Sequence, residues 1–75
     1  MNEKTYIEEV IRDLRRELGN RKFTPRELPA YYEHATSLCR WLEEKGVLER
    51  VGNKERKFLF FTIREPVYRI RNSAT

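Results

Sequence analysis

Residues 35–51 read ATSLCRWLEEKGVLERV, and this stretch indicates a helix that passes directly into a β-strand. Apolar residues recur at helical spacing through its first half and predict one buried stripe: Ala35, Leu38, Cys39 and Leu42. Gly46 then stands where a helix commonly ends on a residue of positive φ. The aliphatic residues that begin at Val47 predict the start of a strand.

The composition fits one small folded domain. The chain has 75 residues, of which 39% are hydrophobic and 37% charged, so a lean core is feasible and disorder is disfavoured. We predict a single domain over residues 1–75, with an ordered core at about residues 4–71 and fraying at residues 72–75. One cysteine excludes a disulfide within the chain, and no apolar run approaches the roughly 20 residues of a membrane span. We therefore expect a soluble cytoplasmic protein, either nucleoid-associated or in the host cytoplasm if viral.

Two more helices are predicted upstream. The first lies between Asn2, a candidate N-cap, and the stop signal at Gly19, because apolar residues recur there every three or four positions. After a single β-bridge at Phe23, the residues Thr24-Pro25-Arg26-Glu27 predict a capping box that opens a short second helix at about residues 25–32. The third helix is expected to begin within residues 33–35. No glycine marks that turn, so one continuous kinked helix is the alternative.

A β-hairpin is predicted after Gly46. Residues 47–51 and 57–63 are strand candidates, separated by a charged loop of turn-forming residues at 52–56, and residues 67–71 form a short final strand. Large apolar residues occupy both faces of the strand at 57–63. One face should cover the helices, and the other needs a third strand, another subunit, or Tyr68 and Ile70 folding back.

Residues 42–50 carry a leucine, a charged pair, a glycine, two aliphatic residues and an arginine. This pattern resembles the end of the recognition helix and the start of the wing in winged helix-turn-helix proteins, and the resemblance covers roughly residues 4–71. It implies an α+β fold, a small winged helix of three helices plus a C-terminal β-hairpin wing. It also implies that the third helix reads DNA and the wing holds phosphates. Many members are dimeric transcriptional regulators, which implies a homodimer.

Positive charge is concentrated in the C-terminal third. The net charge is +4, and residues 51–75 hold six basic and two acidic side chains, against six and five in residues 1–25. This favours a polyanionic partner. A recognition helix presents its N-terminal turn to base edges, so contacts are predicted for His34, Thr36, Ser37 and Arg40. Of these, Arg40 is the candidate for guanine. Phosphate contacts of the wing are predicted for Arg50, Lys54, Arg56 and Lys57. Further cations extend this surface or protect an edge strand: Arg64, Arg69 and Arg71.

The sequence offers no constellation for catalysis. His34 and Cys39 are the only residues of their types, and five positions apart they lie about 140° apart around a helix, so they form neither a nucleophile–base pair nor a zinc site. The three glycines stand alone and form no phosphate-binding loop. We expect no enzyme activity, no cofactor, no membrane partner and no small-molecule ligand. The leading hypothesis is a double-stranded DNA-binding transcriptional regulator that acts as a homodimer. The alternative is a winged-helix protein–protein interaction module that uses the aromatic strand at residues 58–63.

Overall fold

The structure, a computed structural model, describes residues 2–71 as an α+β arrangement of two helices and one antiparallel hairpin. In chain order the elements are helix α1 (Glu3–Leu18), a 3₁₀ turn (Pro25–Glu27), helix α2 (Ala35–Glu44) and strands β1 (Leu48–Phe58) and β2 (Phe61–Ile70). The α+β class is confirmed, and the predicted count of three helices is wrong. The predicted fraying of residues 72–75 lies outside the described residues. Neither helix of residues 2–71 has the length and apolar character needed to cross a membrane.

Helix α1 begins and ends at the predicted local signals. The Asn2 side-chain oxygen accepts a hydrogen bond from the Thr5 amide at 2.8 Å, and Gly19 follows the helix with a φ of 64°. The apolar stripe is buried at Val10, Ile11, Leu14 and Leu18. Burying one such side chain contributes roughly 1.5–3 kcal/mol, so this stripe fixes α1 against the rest of the protein.

The predicted second helix is only the 3₁₀ turn Pro25–Glu27, so the prediction of a helix over residues 25–32 is wrong. The capping box is confirmed: the Glu27 carboxylate accepts a hydrogen bond from the Thr24 amide at 2.7 Å, which lowers the pKa of Glu27. Pro29 explains the early stop. A residue before proline avoids the helical region, and Leu28 accordingly adopts a ψ of 152°. Leu28 is still buried, as predicted.

Two tyrosines attach the segment between the 3₁₀ turn and α2 to helix α1. The hydroxyls of Tyr31 and Tyr32 both donate to Asp13 Oδ2, the latter at 2.7 Å. Arg16 contacts the other carboxylate oxygen. The hydrogen bonds from Tyr31 and then Tyr32 hold the pKa of Asp13 below its usual value of 3.8. Tyr32 is the more buried of the pair and packs against the core, whereas Tyr31 is exposed.

The hairpin is one long two-stranded ribbon that turns at Leu59 and Phe60. Strand β1 pairs with β2 from Leu48 opposite Ile70 to Phe58 opposite Phe61, with a bulge between Arg50 and Gly52. The predicted loop at residues 52–56 is therefore wrong, since these residues lie within β1. The strand predicted at residues 57–63 is interrupted by the turn, and the final strand predicted at 67–71 is the end of β2.

Pairing at the base of the hairpin determines where the turn falls. Leu48, Tyr68 and Ile70 are buried, and each rung of an antiparallel ladder advances one residue on each strand. Pairing Leu48 with Ile70 therefore places the turn near the middle of the intervening chain. A turn at Gly52-Asn53 would leave Tyr68 and Ile70 without partners on β1. Phe23 is buried and forms the predicted bridge, with its amide donating to the Tyr68 carbonyl at 2.9 Å.

One hydrophobic core joins α1, α2 and the base of the hairpin. The most enclosed side chains come from α1, the bridge at Phe23, α2 and the start of β1: Leu14, Phe23, Cys39, Leu42 and Leu48. On α2 the predicted stripe is confirmed, with Cys39 and Leu42 buried and Ala35 and Leu38 packed against them. Burial raises the pKa of Cys39 to about 12, so the thiol stays protonated and acts as a small apolar group.

Candidate nucleic-acid interface

The N-terminal end of α2 carries the four residues predicted to contact DNA, and all are exposed: His34, Thr36, Ser37 and Arg40. His34 is the N-cap residue, with a left-handed φ of 55°, and its side chain makes no capping hydrogen bond. Thr36 and Ser37 lie in the first turn of the helix, and Arg40 follows one turn later. Positions three and four apart are neighbours on a helix surface, so these last three residues form one outward face opposite the buried stripe.

A groove separates this end of α2 from strand β2. Helix α2 contributes residues 34–37, the 3₁₀ turn contributes Pro25 and Arg26, and β2 contributes residues 63–66. The structure thus brings His34, Thr36 and Ser37 next to the hairpin. Arg40 lies outside the groove, farther along the exposed face of α2.

Glu65, a residue of this groove on β2, connects the 3₁₀ turn to strand β1. Its Oε1 atom lies 3.2 Å from Nε of both Arg26, in the 3₁₀ turn, and Arg56, on the opposite strand. The Glu65 side chain is only 12% exposed, and its Oε2 has no hydrogen-bond partner among the described residues. Two guanidinium groups share one carboxylate, so the cluster keeps a net positive charge. Neither Arg26 nor Glu65 was predicted, because their contact joins segments far apart in sequence.

We call the part of the hairpin beyond the bulge, residues 52–67, the outer ribbon, and it carries cations on both faces. Cross-strand register places Lys54 and Arg56 on the same face as Glu65, and Lys57 on the other face with Arg64. Lys54 and Lys57 form no ion pair with any residue in the range 2–71, whereas Arg64 Nε lies 3.4 Å from Glu55 Oε1 at the surface. Among the cations of the ribbon, Lys54 and Lys57 thus form no ion pair with a described carboxylate. Lys54 still lies near Glu27, whose pKa is lowered first by the hydrogen bond from the Thr24 amide and also by the charge of Lys54.

Arg50 lies apart from the other predicted wing residues. Its Nε is 3.7 Å from Glu43 Oε2 of α2, at the base of the hairpin. The hydroxyl of the neighbouring Tyr68 donates to Glu43 Oε1 at 3.5 Å, and burial together with the Glu43 charge raises the pKa of Tyr68. Arg50 thus takes part in a polar contact between the hairpin base and α2.

The tip of the hairpin is apolar, which corrects the prediction that a charged loop at residues 52–56 joins the two strands. Lys54, Arg56 and Lys57 lie along β1 instead, because the turn falls later in the chain than predicted. Four consecutive residues at the tip are exposed, Phe58 at 54%, Leu59 at 79%, Phe60 at 99% and Phe61 at 65%. We name these four residues the apolar tip. Their unbroken run was visible in the sequence, but alternation along a strand was expected to bury half of them.

No group of His, Cys, Asp and Glu side chains within the described part of the chain could hold a metal ion. Comparison of the chain with protein-family models, curated proteins and solved structures gives no match. The contacts and charges of residues 2–71 therefore carry the functional inference.

Proposed function

We propose that this protein is a winged-helix transcriptional regulator that binds double-stranded DNA. The exposed face of α2 would enter the major groove and present its N-terminal turn to base edges, while the hairpin follows the neighbouring backbone. One observation carries the proposal. Residues 34–37, at the N-terminal end of α2, and residues 63–66 of β2 line the same groove, and this proximity favours a partner that contacts both elements.

The charge on the ribbon supports the same partner. Lys54 and Lys57 have no ion-pair partner in residues 2–71, and Arg26 and Arg56 share one carboxylate. Positive side chains that neutralise phosphates release counterions, and this release supplies much of the affinity of proteins for DNA. The hydroxyls of Thr36 and Ser37 add short donors suited to phosphate oxygens or base edges.

We further propose that the protein acts as a homodimer. A domain of 75 residues makes few base contacts, and twofold repetition gives a second half-site and higher specificity. Sedimentation of the protein with a duplex that holds two half-sites measures the stoichiometry. One protomer per duplex at saturation would contradict the dimer without contradicting DNA binding.

A titration of random-sequence duplex DNA at two salt concentrations tests the proposed function. The logarithm of affinity should fall with the logarithm of salt, with a slope of about −0.9 for each phosphate contact. The double variant Lys54→Ala/Lys57→Ala should bind roughly tenfold more weakly at moderate salt and lose about two units of slope. Neither lysine forms an ion pair within residues 2–71, so the substitution breaks none. Glu27, near Lys54, keeps its hydrogen bond from the Thr24 amide and its ion pair with Arg21.

The matched control removes the same charge from another surface. Lys4 and Arg12 are exposed on α1, and neither forms an ion pair within residues 2–71. The variant Lys4→Ala/Arg12→Ala should keep its affinity within about twofold, since net charge alone acts weakly at a distance when salt screens it. An equal loss of DNA affinity in both variants would show that net charge attracts DNA without a defined binding site. Full affinity in the ribbon variant would contradict the proposal.

A second candidate function is a winged-helix protein-interaction module, and the apolar tip is the observation that favours it. Exposed contiguous apolar groups often mark protein contacts. In that case Phe60→Ala would disrupt the complex, whereas Lys54→Ala/Lys57→Ala would leave it intact and duplex DNA would bind weakly even at low salt.

A further inference from the structure

The apolar tip is a feature that the proposed backbone contacts do not use. Each of its four residues is more than half exposed, and Phe60 is almost fully exposed, so the described part of the chain gives them little cover. The tip is also held in place. Phe58 pairs with Phe61 across the last rung of the ladder, which leaves a two-residue turn at Leu59 and Phe60.

The apex requires an unusual backbone conformation. Leu59 has a φ of 55°, in the left-handed region that a leucine rarely adopts. Glycine, asparagine or aspartate would fit this turn with less strain. The chain instead places a leucine and a phenylalanine at the outermost point of the ribbon, where neither contributes to the core.

Charge around the tip favours a partner with phosphates on two sides. On one face of the ribbon behind the tip lie Lys54 and Arg56, with Glu65 as the one acidic residue. On the other face lie Lys57 and Arg64, with Glu55 paired to Arg64, so each face keeps one net positive charge. A DNA groove is bordered by a phosphate backbone on each side, so a ribbon inserted into it would place the cations of each face next to one backbone. Association of two tips would instead bring these cations toward one another, and like charges oppose such a contact.

The reach of the ribbon matches the spacing of DNA grooves. Glu65 lies in the groove beside α2, and the chain between it and Phe60 in the turn spans five residues, about 16 Å at roughly 3.3 Å per residue. Neighbouring major and minor grooves are offset by about half of a helical turn of roughly 34 Å, which is about 17 Å. A duplex seated against α2 would therefore present its next minor groove to the apolar tip.

We propose that Leu59 and Phe60 form an apolar wedge that enters this minor groove, separates two stacked base pairs and bends the duplex. The inference rests on the proposed DNA binding. Apolar side chains inserted between base steps unstack them and bend DNA toward the major groove. Pyrimidine–purine steps such as TA unstack most readily, so the wedge would prefer a TA step at the insertion point.

A bending assay with the full chain tests the wedge. A short duplex carries one central TA step and a fluorescent dye at each end, and energy transfer between the dyes rises when the ends approach. The parent protein should raise energy transfer at saturation. Leu59→Ala/Phe60→Ala should abolish that rise while keeping affinity within about threefold and the salt slope unchanged, because every cation of the ribbon remains. A 2-aminopurine base beside the TA step should brighten with the parent and not with this variant.

Two control variants separate the wedge from general loss of apolar surface. Phe60→Leu keeps a bulky apolar apex and should retain most of the bending. Val51→Ala removes an exposed apolar side chain at the base of the ribbon and should bend DNA like the parent. Far-UV circular dichroism and thermal melting of each variant show whether it is folded.

The outcomes distinguish the two proposals. A parent protein that does not bind duplex DNA at low salt overturns both. Binding without bending, or bending that persists in Leu59→Ala/Phe60→Ala, overturns the wedge alone. Sedimentation and flotation with phosphatidylserine-containing vesicles test other occupants of the tip. If the tip variant still bends DNA but no longer self-associates, the tip binds a second copy of the protein. If it still bends DNA but no longer binds vesicles, the tip binds a lipid surface. Either result overturns the wedge.

Discussion

At its base the hairpin belongs to the hydrophobic core, with Leu48, Tyr68 and Ile70 each at most 5% exposed, whereas nearly every residue beyond the bulge is exposed or only partly covered. The same two strands are thus buried in the core at one end and exposed to solvent at the other. Packing explains the residues of the base. In the outer ribbon, packing explains little, so the combination of cations with the apolar tip is better understood as a surface for a partner.

The largest expected difference is in stability, between the hydrophobic core, which includes the hairpin base, and the outer ribbon. Leu42→Ala creates a cavity in the core and should lower the free energy of unfolding by about 2–5 kcal/mol. Phe60→Ala should change it by no more than about 0.5 kcal/mol, because its side chain is almost fully exposed. Urea unfolding followed by circular dichroism measures both. A domain of this size has a total of roughly 4–11 kcal/mol, so similar losses in the two variants would erase the distinction.

Substitutions on the exposed face of α2 should affect DNA binding more than stability, as in the outer ribbon, although α2 also contributes to the core. Arg40→Ala should leave the free energy of unfolding nearly unchanged, since Arg40 is exposed. It should reduce discrimination at one base pair by about 1–3 kcal/mol, as expected when an arginine contact to guanine is lost. Binding to a panel of single-base variants of a selected site measures this effect. Uniform weakening over the whole panel would instead assign Arg40 to a phosphate.

Left-handed backbone occurs both beside the core, at Gly46 between α2 and β1, and in the outer ribbon, at Leu59 in the turn, with φ of 78° and 55°. Gly46→Ala should destabilise the protein by about 1 kcal/mol through backbone strain alone, because a Cβ atom there meets nothing within 4 Å. Leu59→Gly should stabilise it by about 0.5–1 kcal/mol, with strain relief partly offset by the entropy of glycine in the unfolded chain. Thermal melting measures both, and destabilisation by Leu59→Gly would show that the leucine supports the fold.

Acid should weaken the helical end of the protein through Asp13. The pKa of Asp13 is lowered in the folded state by the Tyr31 and Tyr32 hydroxyls, so its contribution to stability is complete above the ordinary pKa of 3.8 and is lost as the pH falls toward the lowered value. Between neutral pH and pH 3, the melting temperature of Asp13→Asn should therefore fall less than that of the parent. Tyr31→Phe should give an intermediate response. An identical acid response in all three proteins would exclude this contribution.

The elements that could be predicted from the sequence have causes that lie within a few residues. Asn2 and Gly19 bound α1, the capping box opens the 3₁₀ turn, and Gly46 follows α2, as each local pattern indicated. Even the lost second helix had a local cause, because Pro29 prevents Leu28 from adopting helical backbone. Three of the recognition-helix candidates, Thr36, Ser37 and Arg40, are exposed because the helical period of the buried stripe leaves them on the opposite side, and His34 is exposed at the N-cap.

The features that could not be predicted depend on contacts between distant residues. Gly52-Asn53 is a strong local turn signal, yet burial of Leu48 opposite Ile70 places the turn elsewhere. The resulting register moves Lys54 and Lys57 from a loop into a strand and exposes the apolar tip. The contact of Glu65 with both Arg26 and Arg56 likewise exists only once β2 lies beside the 3₁₀ turn.

The enclosed thiol of Cys39 has a practical consequence. It is the sole cysteine of the chain, it is fully buried, and burial raises its pKa to about 12, so maleimide reagents should not modify it in the native protein. A cysteine introduced at position 60 would then be the one site open to a spin label or a photocrosslinker. A single chemical probe can therefore be attached at the far end of the ribbon without first replacing Cys39.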